Sequence, residues 1–399
     1  MFITVLGRQP KISLAELESV YGASNITPLS DQLALINTKT LELNHLGGTI
    51  KAGQIIIESL LDHLSNLPPG KITLGFSDYS PKATAKSAQM QALKLKSVLK
   101  RHGRSVRIVP NNSSAALSSA ASHHNQLGEK TNHIEIISYQ KYTALSIGTQ
   151  NITAYAKRDQ ARPARDAFVG MLPPKLAQIL INLATGPETS GHLLDPFCGT
   201  GTILQEALLM GFSVYGTDLS EKMISYSKKN LDWLAFKLAR TTLSRNFCRH
   251  DGSEATHPAT AGVRSVSEKE LSCELEAGDA TNFKWKQPID FIVSETYLGQ
   301  PFSAPPSDIK LKEVQFTTKS IILAFLKNIH PQLKPGTPLA LAIPAWRRPD
   351  QTFSHLNIVD EIKKLGYNVH QFKHATSAQL LYYRESQVVA RQIIVLRKI

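Results

Sequence analysis

One segment, residues 193–218, constrains the fold more than any other part of the chain. Its sequence is LLDPFCGTGTILQEALLMGFSVYGTD. An apolar run ends in Asp195, a turn with Gly199 and Gly201 follows, and a helical pattern leads to a second apolar run that ends in Asp218. A strand, a glycine turn, a helix and a strand in this order are typical of nucleoside-binding parallel sheets. The pattern predicts a nucleoside-containing cofactor, with Asp218 accepting hydrogen bonds from ribose hydroxyls.

The chemistry of the glycine turn narrows the choice of cofactor. The spacing is neither GxGxxG nor that of a P-loop, because no Lys-Ser or Lys-Thr pair ends it. An acidic residue at its start would repel a pyrophosphate and attract a cation, which favours the sulfonium and ammonium groups of S-adenosylmethionine. The residues predicted to bind this cofactor are Asp195, Pro196, Phe197, Cys198, Gly199, Gly201, Thr202, Asp218, Leu219, Asp279 and Ala280. Asp279 is predicted to accept a hydrogen bond from the adenine amine. The alternatives are a tight structural turn and, for Asp218 and Asp279, a helix N-cap.

Length and composition set broad limits. A chain of 399 residues exceeds one ordinary core, so two or three domains are expected. We predict neither a membrane span nor a signal peptide, because the apolar runs are short and the N-terminus lacks a basic leader. Three scattered cysteines without CxxC spacing argue against disulfides and metal sites and favour a reducing cytoplasm. The net charge of +13 favours a polyanionic partner.

Hydrophobic periodicity predicts an α/β chain in four segments. Residues 1–50 are predicted to form a small N-terminal α/β (ferredoxin-like) subdomain, and residues 51–150 a second α/β unit. Residues 151–170 have the composition of a basic linker. Residues 171–399 alternate helices with apolar strands, which indicates a mostly parallel sheet with an antiparallel C-terminal strand. Within them, the polar residues 244–271 show no core pattern and are predicted to be a mobile insertion.

Basic side chains concentrate on one predicted helix, residues 82–102, and on the linker. We predict that they contact the phosphates of RNA, the alternative for the linker being a solvated connector. The residues are Lys86, Lys94, Lys100, Arg101, Lys157, Arg158, Arg162 and Arg165.

A third group of residues follows the predicted fourth strand of the C-terminal sheet, where ligands of open α/β sheets bind. An exocyclic amine of a nucleobase is a poor nucleophile, because its lone pair is delocalised into the ring. Glu295 and the carbonyl of Thr296 are predicted to accept the amine protons, and Tyr297 to hold the base by stacking. The alternative is an ordinary strand-to-helix turn with a surface glutamate.

With these residues in view, the chain resembles the THUMP-domain tRNA guanosine-N2 methyltransferases, which modify the guanosine at position ten of tRNA. The most specific motifs are YAKRD at 155–159, RPARD at 162–166, GMLPPKLAQ at 170–178, the DPFCGTG turn and LYYR at 381–384. The resemblance implies a THUMP-like domain in residues 51–150 that grips the acceptor end of tRNA. It also implies a Rossmann-like class I methyltransferase domain in residues 171–399 that binds S-adenosylmethionine.

The chain departs from the family at the catalytic loop. The family usually has Asp or Asn, then Pro-Pro and an aromatic residue, whereas this chain has Glu295-Thr296-Tyr297-Leu298. The leading hypothesis is a tRNA methyltransferase acting on an exocyclic amine, with guanine N2 favoured. The rivals are an RNA-binding protein with an altered or inactive methyltransferase domain and a DNA adenine-N6 methyltransferase. The target nucleotide, the number of methyl groups, the oligomeric state and the need for a small helper subunit are left open.

Overall fold

A computed structural model describes residues 1–166, 171–239, 271–286, 288–385 and 387–399. The predicted insertion at 244–271 lies outside the described residues except for residue 271. Contacts divide the chain into two compact units, Met1–Lys157 (unit 1) and Arg158–Ile399 (unit 2). In the described residues, no helix combines the length and the apolar character needed to cross a membrane.

Unit 1 is built on one mixed sheet of eight strands. The strands are β1 (Phe2–Leu6), β2 (Ile26–Pro28), β3 (Leu33–Ile36), β4 (Thr49–Ile55), β5 (Ile72–Asp78), β6 (Val106–Ile108), β7 (His133–Tyr139) and β8 (Tyr142–Thr149). Their order is β2-β3-β1-β4-β8-β7-β5-β6. Strand β4 contains the boundary predicted at residue 50 and pairs with both β1 and β8, so residues 1–50 and 51–150 share this sheet.

The helices of unit 1 come from the chain before and after residue 50. They are α1 (Pro10–Tyr21), α2 (Leu60–Ser65), α3 (Ala85–Arg101), α4 (Ser119–His124) and α5 (Ile152–Gln160), the last of which continues into unit 2. Helix α3 begins at a capping box formed by Thr84 and Ser87, and it buries Ala88, Ala92 and Leu99. Four of its five basic residues, Lys86, Lys94, Lys100 and Arg101, are exposed, as an amphipathic pattern requires.

Unit 2 contains a nine-stranded, mostly parallel sheet. The strands are β9 (His192–Asp195), β10 (Ser213–Asp218), β11 (Cys273–Ala277), β12 (Phe291–Glu295), β13 (Pro338–Arg347), β14 (Phe353–His355), β15 (Tyr367–Val369), β16 (Leu381–Tyr382) and β17 (Val389–Lys398). The main path runs β11-β10-β9-β12-β13-β17-β15, and β14 and β16 pair with β13 and β17. Strand β17 is antiparallel to both of its neighbours on this path. The predicted fold class, an α/β domain whose mostly parallel sheet has an antiparallel C-terminal strand, is confirmed.

Helices cover the sheet of unit 2 and bring its site residues to one edge. They are α6 (Pro174–Thr185), α7 (Thr202–Leu209), α8 (Glu221–Ala239), α9 (Asp308–Ile329) and α10 (Val359–Lys364). Ile322 and Phe325 of α9 pack with Ile292 and Leu341 of the central strands in one buried core. Because β9, β10, β12 and β13 run parallel, the loops after them meet at the carboxyl edge of the sheet.

Candidate functional site

The turn after β9 contains two glycines, Gly199 with open space beside it and Gly201 packed against α8. Gly199 and Gly201 have φ angles of 53° and 80°, values that a residue with a side chain rarely adopts. A Cβ at Gly199 would meet nothing within 4 Å, whereas at Gly201 it would lie 2.9 Å from Ser227 Oγ. A ligand can therefore approach the backbone at Gly199, while Gly201 permits close packing against α8.

Asp195 ends β9 and is almost completely buried, with 2% of its surface exposed. Its Oδ1 accepts hydrogen bonds from Ser294 Oγ at 2.7 Å and from the Phe197 amide at 3.2 Å. Burial raises the pKa of Asp195 to about 8. A cationic ligand beside this carboxyl would favour its ionised form and would be stabilised in return.

Asp218 ends β10 and connects that strand to the glycine turn. Its two oxygens accept hydrogen bonds from the amides of Gly199 and Ser220, both at 2.9 Å. Burial raises the pKa of this carboxyl as well. The next residue, Leu219, leaves 75% of its surface exposed. A carboxylate beside an exposed apolar side chain suits a nucleoside, whose sugar hydroxyls donate while its base needs an apolar contact.

Asp279 follows β11 and stabilises its own turn. Its Oδ1 accepts from the Thr281 amide at 2.9 Å and from Thr281 Oγ1 at 2.8 Å. Ala280 is buried, and Asn328 Nδ2 donates to its carbonyl at 3.1 Å. No helix begins at this residue, so the bonds close a turn and Asp279 is not a helix N-cap. Contact with an adenine amine stays a prediction.

The other side chains predicted at the cofactor loop face the interior. Phe197 packs edge-on against Phe325, with ring centres 5.3 Å apart. The Cys198 thiol lies 3.7 Å from Ser227 Oγ, and burial raises its pKa. Pro196 and Thr202 are also buried. These residues hold the turn in shape, so contacts of this stretch with a cofactor would come from its backbone.

Arg162 and Ala164, which follow α5, help to hold the glycine turn in place. This role could not be predicted from the sequence motif. Asn230 of α8 is fully buried, and its Nδ2 donates to the carbonyls of Ala164 and Thr200, both at 2.9 Å. Its Oδ1 accepts from the Ala164 amide at 2.9 Å. Arg162 Nη1 donates to Thr202 Oγ1 at 2.5 Å. The RPARD motif thus contacts the turn directly.

Arg158 and Arg162 are predicted to contact RNA, but the structure places both side chains largely inside the protein. Arg158 Nε and Nη2 bind the carboxylate of Glu206 in α7 at 2.6 and 3.1 Å, and only 3% of Arg162 is exposed. Arg158 binds Glu206 because that carboxylate is 1% exposed, and a buried carboxylate needs a cation beside it. Lys157 and Arg165 are exposed, as are the four residues of α3 that are predicted to contact RNA. Glu206, an acidic residue inside the apolar pattern of α7, is the feature of the sequence that could have predicted a buried arginine.

The predicted catalytic residues lie at the carboxyl end of β12. Glu295 is the last residue of the strand, and Thr296 continues the pairing, because its amide and Oγ1 both donate to the Ala342 carbonyl at 3.0 and 3.2 Å. Tyr297 is 42% exposed. The loop therefore presents a carboxylate and an accessible aromatic ring, while the Thr296 side chain is turned into the sheet.

The carboxylate of Glu295 is held by an arginine that the sequence analysis did not single out. Arg391 Nε of β17 donates to Glu295 Oε1 at 2.6 Å. The two side chains are only 6% and 16% exposed. Strand β17 pairs with β13, and β13 pairs with β12, which brings together residues that are 96 positions apart. The ion pair fixes the orientation of Glu295.

The residues at this edge fit S-adenosylmethionine. Asp195 can face a cation, Asp218 can accept from a ribose, Gly199 opens its backbone to the ligand, and Leu219 offers an apolar surface. The strand order of unit 2 is that of the Rossmann-like, class I methyltransferase fold. Residues 162–318 match a family model described as an RMKL-like methyltransferase domain, and residues 89–229 match one described as a DNA methylase.

Among curated proteins, the chain is similar to the tRNA (guanine(10)-N2)-dimethyltransferase of Methanothermobacter thermautotrophicus. The two are 28% identical over 190 residues, which cover 47% of this chain and 44% of that protein. A protein of the same name from Pyrococcus abyssi is 44% identical over 66 residues, 16% of this chain and 19% of that protein. The matches thus span less than half the length of these relatives.

Among solved structures, the chain is similar to TrmN from Thermus thermophilus, with a TM-score of 0.46 and 17% identity over 100% of this chain and 99% of that one. The predicted resemblance to the tRNA guanosine-N2 methyltransferases is confirmed by the named curated relatives. The THUMP-like assignment of residues 51–150 stays a prediction.

Proposed function

We propose that this protein is an S-adenosylmethionine-dependent tRNA methyltransferase that methylates an exocyclic amine, with guanine N2 as the favoured target. One observation carries the proposal: the strand that ends in Glu295 also supplies Ser294, whose hydroxyl donates to Asp195 at 2.7 Å. A proton acceptor and the cofactor turn are thereby adjacent on one edge. The names of the curated relatives supply the substrate class.

The residues of the loop can make the amine a nucleophile. Glu295 and the Thr296 carbonyl would accept hydrogen bonds from the two amine protons and localise the nitrogen lone pair. When bound, S-adenosylmethionine supplies an electrophilic methyl group. The amine nitrogen would take this methyl group, S-adenosylhomocysteine would leave, and Glu295 would accept the surplus amine proton and pass it to solvent. Alignment of the amine by Glu295 and Tyr297 would contribute much of the acceleration.

A second candidate is an RNA-binding protein whose methyltransferase domain does not catalyse transfer. The contact of Glu295 with Arg391 favours it, because a buried ion pair is also a structural feature. The missing prolines of the loop point in the same direction.

Transfer of labelled methyl groups from S-adenosylmethionine to bulk tRNA, followed by mass spectrometry of the nucleosides, tests the proposal. We expect a methylated guanosine with the wild type and none with Glu295→Ala, while calorimetry shows unchanged cofactor affinity. Asp218→Ala should weaken cofactor binding, and Glu313→Ala, an exposed carboxylate of α9, serves as the control. Cofactor binding without transfer by the wild type would support the second candidate. Transfer to duplex DNA alone would support an adenine methyltransferase.

We also infer that tRNA is the partner and that the protein acts in the cytoplasm, where tRNA is processed. The need for a helper subunit is tested by the same assay, because activity of the purified chain alone would exclude it.

A further inference from the structure

Two aromatic rings and an arginine form a cluster at the carboxyl end of β13. Arg347 is the last residue of this strand, and its Cζ lies 5.0 Å from the ring centre of Phe353 and 5.7 Å from that of Tyr383. The two rings lie 5.1 Å apart. We call Arg347, Phe353 and Tyr383 the platform. The proposed chemistry of the catalytic loop does not use it.

The platform keeps a positive charge in a fixed position. Arg347 Nε donates to the Gln387 carbonyl at 3.2 Å, Nη1 to Gln351 Oε1 at 3.0 Å and Nη2 to the Arg384 carbonyl at 3.3 Å. All three acceptors are neutral oxygens, so these contacts orient the guanidinium without neutralising it. A guanidinium above aromatic rings is a surface on which nucleobases stack.

The register of the sheet connects the platform to Glu295 through Arg391. Tyr382, the neighbour of Tyr383, lies opposite Arg391, which binds Glu295 at 2.6 Å. Gln387 joins the two groups, because its Oε1 accepts from Arg391 at 3.4 Å while its carbonyl accepts from Arg347.

The distance between the two groups indicates which nucleotide the platform would meet. Ala342, which lies opposite Glu295, precedes Arg347 by five residues of β13, a distance of about 16 Å along an extended strand. This separation is too large for the base whose amine reaches Glu295. It suits a nucleotide that neighbours the target.

We propose that the platform binds a nucleobase flanking the target nucleotide in an unpaired stretch of RNA. Tyr383, which is 36% exposed, supplies the stacking surface. The exposed Arg348 and Arg384 are the chain neighbours of Arg347 and Tyr383 and can contact phosphates. Of the acidic groups nearby, Asp350 accepts from the Thr352 amide and hydroxyl, and Glu385 is exposed. Duplex DNA keeps its bases stacked on one another, so the platform favours single-stranded RNA. This inference rests on the proposed RNA substrate and specifies how it is held.

The test uses the wild-type chain and RNA oligonucleotides that carry 2-aminopurine. Mass spectrometry first identifies the methylated nucleotide, and the fluorescent base is then placed on either side of it. We expect the wild type to quench one of the two positions. Tyr383→Ala and Tyr383→Leu should lose the quenching and raise KM for RNA about 5- to 100-fold, with a smaller change in kcat. Tyr383→Phe should behave as the wild type, because it keeps the ring.

Phe316→Ala is the matched control, since Phe316 of α9 is an aromatic residue with 76% of its surface exposed. If Tyr383→Leu melts at the wild-type temperature and has the KM and quenching of Phe316→Ala, the platform is overturned. Tyr383→Leu covers the case in which the alanine variant fails to fold. If the wild type methylates no RNA, the proposed function fails. The platform is then judged by quenching of 2-aminopurine in single-stranded RNA, compared between wild type and Tyr383→Leu.

Discussion

At the scale of single residues, the orientation of Glu295 depends on Arg391. We expect Arg391→Gln to destabilise the protein by about 3 kcal/mol, because it leaves a largely buried carboxylate without a counter-ion. The double variant with Glu295→Gln should lose less than the sum of the two single variants, since no unpaired charge remains. Urea unfolding of the three variants measures this coupling. Additive losses would show that the two side chains do not interact.

The raised pKa of Asp195 makes the stability of the protein depend on pH, and the direction of this dependence follows from the direction of the shift. An unfolded aspartate ionises near pH 3.9, whereas burial raises the pKa of the folded Asp195 to about 8. The folded chain therefore holds a proton that the unfolded chain has lost, so the stability of the wild type falls as the pH rises from about 4 to about 8.

Asp195→Asn keeps an oxygen acceptor for Ser294 and the Phe197 amide but has no charge to bury. We expect the difference in unfolding free energy between this variant and the wild type to grow, in favour of the variant, by about 3 kcal/mol as the pH rises from 5 to 8. Denaturant midpoints measured at both pH values check this. A stability difference that stays constant with pH would mean that Asp195 titrates normally.

At the scale of elements, Asn230 joins α8, the glycine turn and the segment after α5. Asn230→Ala would leave the Ala164 amide and the carbonyls of Ala164 and Thr200 without their partner. We expect a loss of about 3 kcal/mol of stability and a weaker affinity for S-adenosylmethionine, because the turn is no longer fixed. Urea unfolding and calorimetry measure the two effects.

The control for Asn230 is Asn111 of unit 1, whose Nδ2 donates to the carbonyls of Phe76 and Ala115. Asn111→Ala should cost a similar stability and leave the cofactor affinity unchanged. Equal losses of cofactor affinity in both variants would contradict a specific role for Asn230.

The elements show how far the sequence determines the structure. The strands that end in Asp195 and Asp218 could be predicted, because an apolar run followed by a glycine or an acidic residue is a local signal. The Ala- and Ser-rich residues 113–127 have the composition of one long helix, but only Ser119–His124 is helical. There the Asn111 side chain also binds the carbonyls of Ser114 and Ala115, which holds a loop in place of a helical turn.

Contacts between distant elements could not be predicted from local patterns. Arg391 meets Glu295 only through the pairing of β12, β13 and β17, and a single sequence contains no register. Likewise, positive charge alone predicts a phosphate contact and a buried ion pair equally well. Arg158 forms the ion pair because Glu206 lies inside the protein.

At the scale of the whole molecule, the net charge of +13 predicts salt-dependent binding of RNA, and the exposed basic face of α3 is expected to provide part of it. Each phosphate contact contributes about 0.7 to 0.9 to the slope of log affinity against log salt concentration. Changing Lys86, Lys94, Lys100 and Arg101 to Gln should therefore reduce that slope by about 3.

The matched control changes four exposed lysines of unit 2, Lys312, Lys334, Lys363 and Lys364, to Gln. Either set lowers the net charge from +13 to +9, so a difference between them reports position and not total charge. Affinity for bulk tRNA is measured from 50 to 300 mM salt, and cofactor affinity should be the same in both variants. If the two sets reduced the slope equally, RNA would respond to the overall field of the protein, and α3 would not be part of its binding surface.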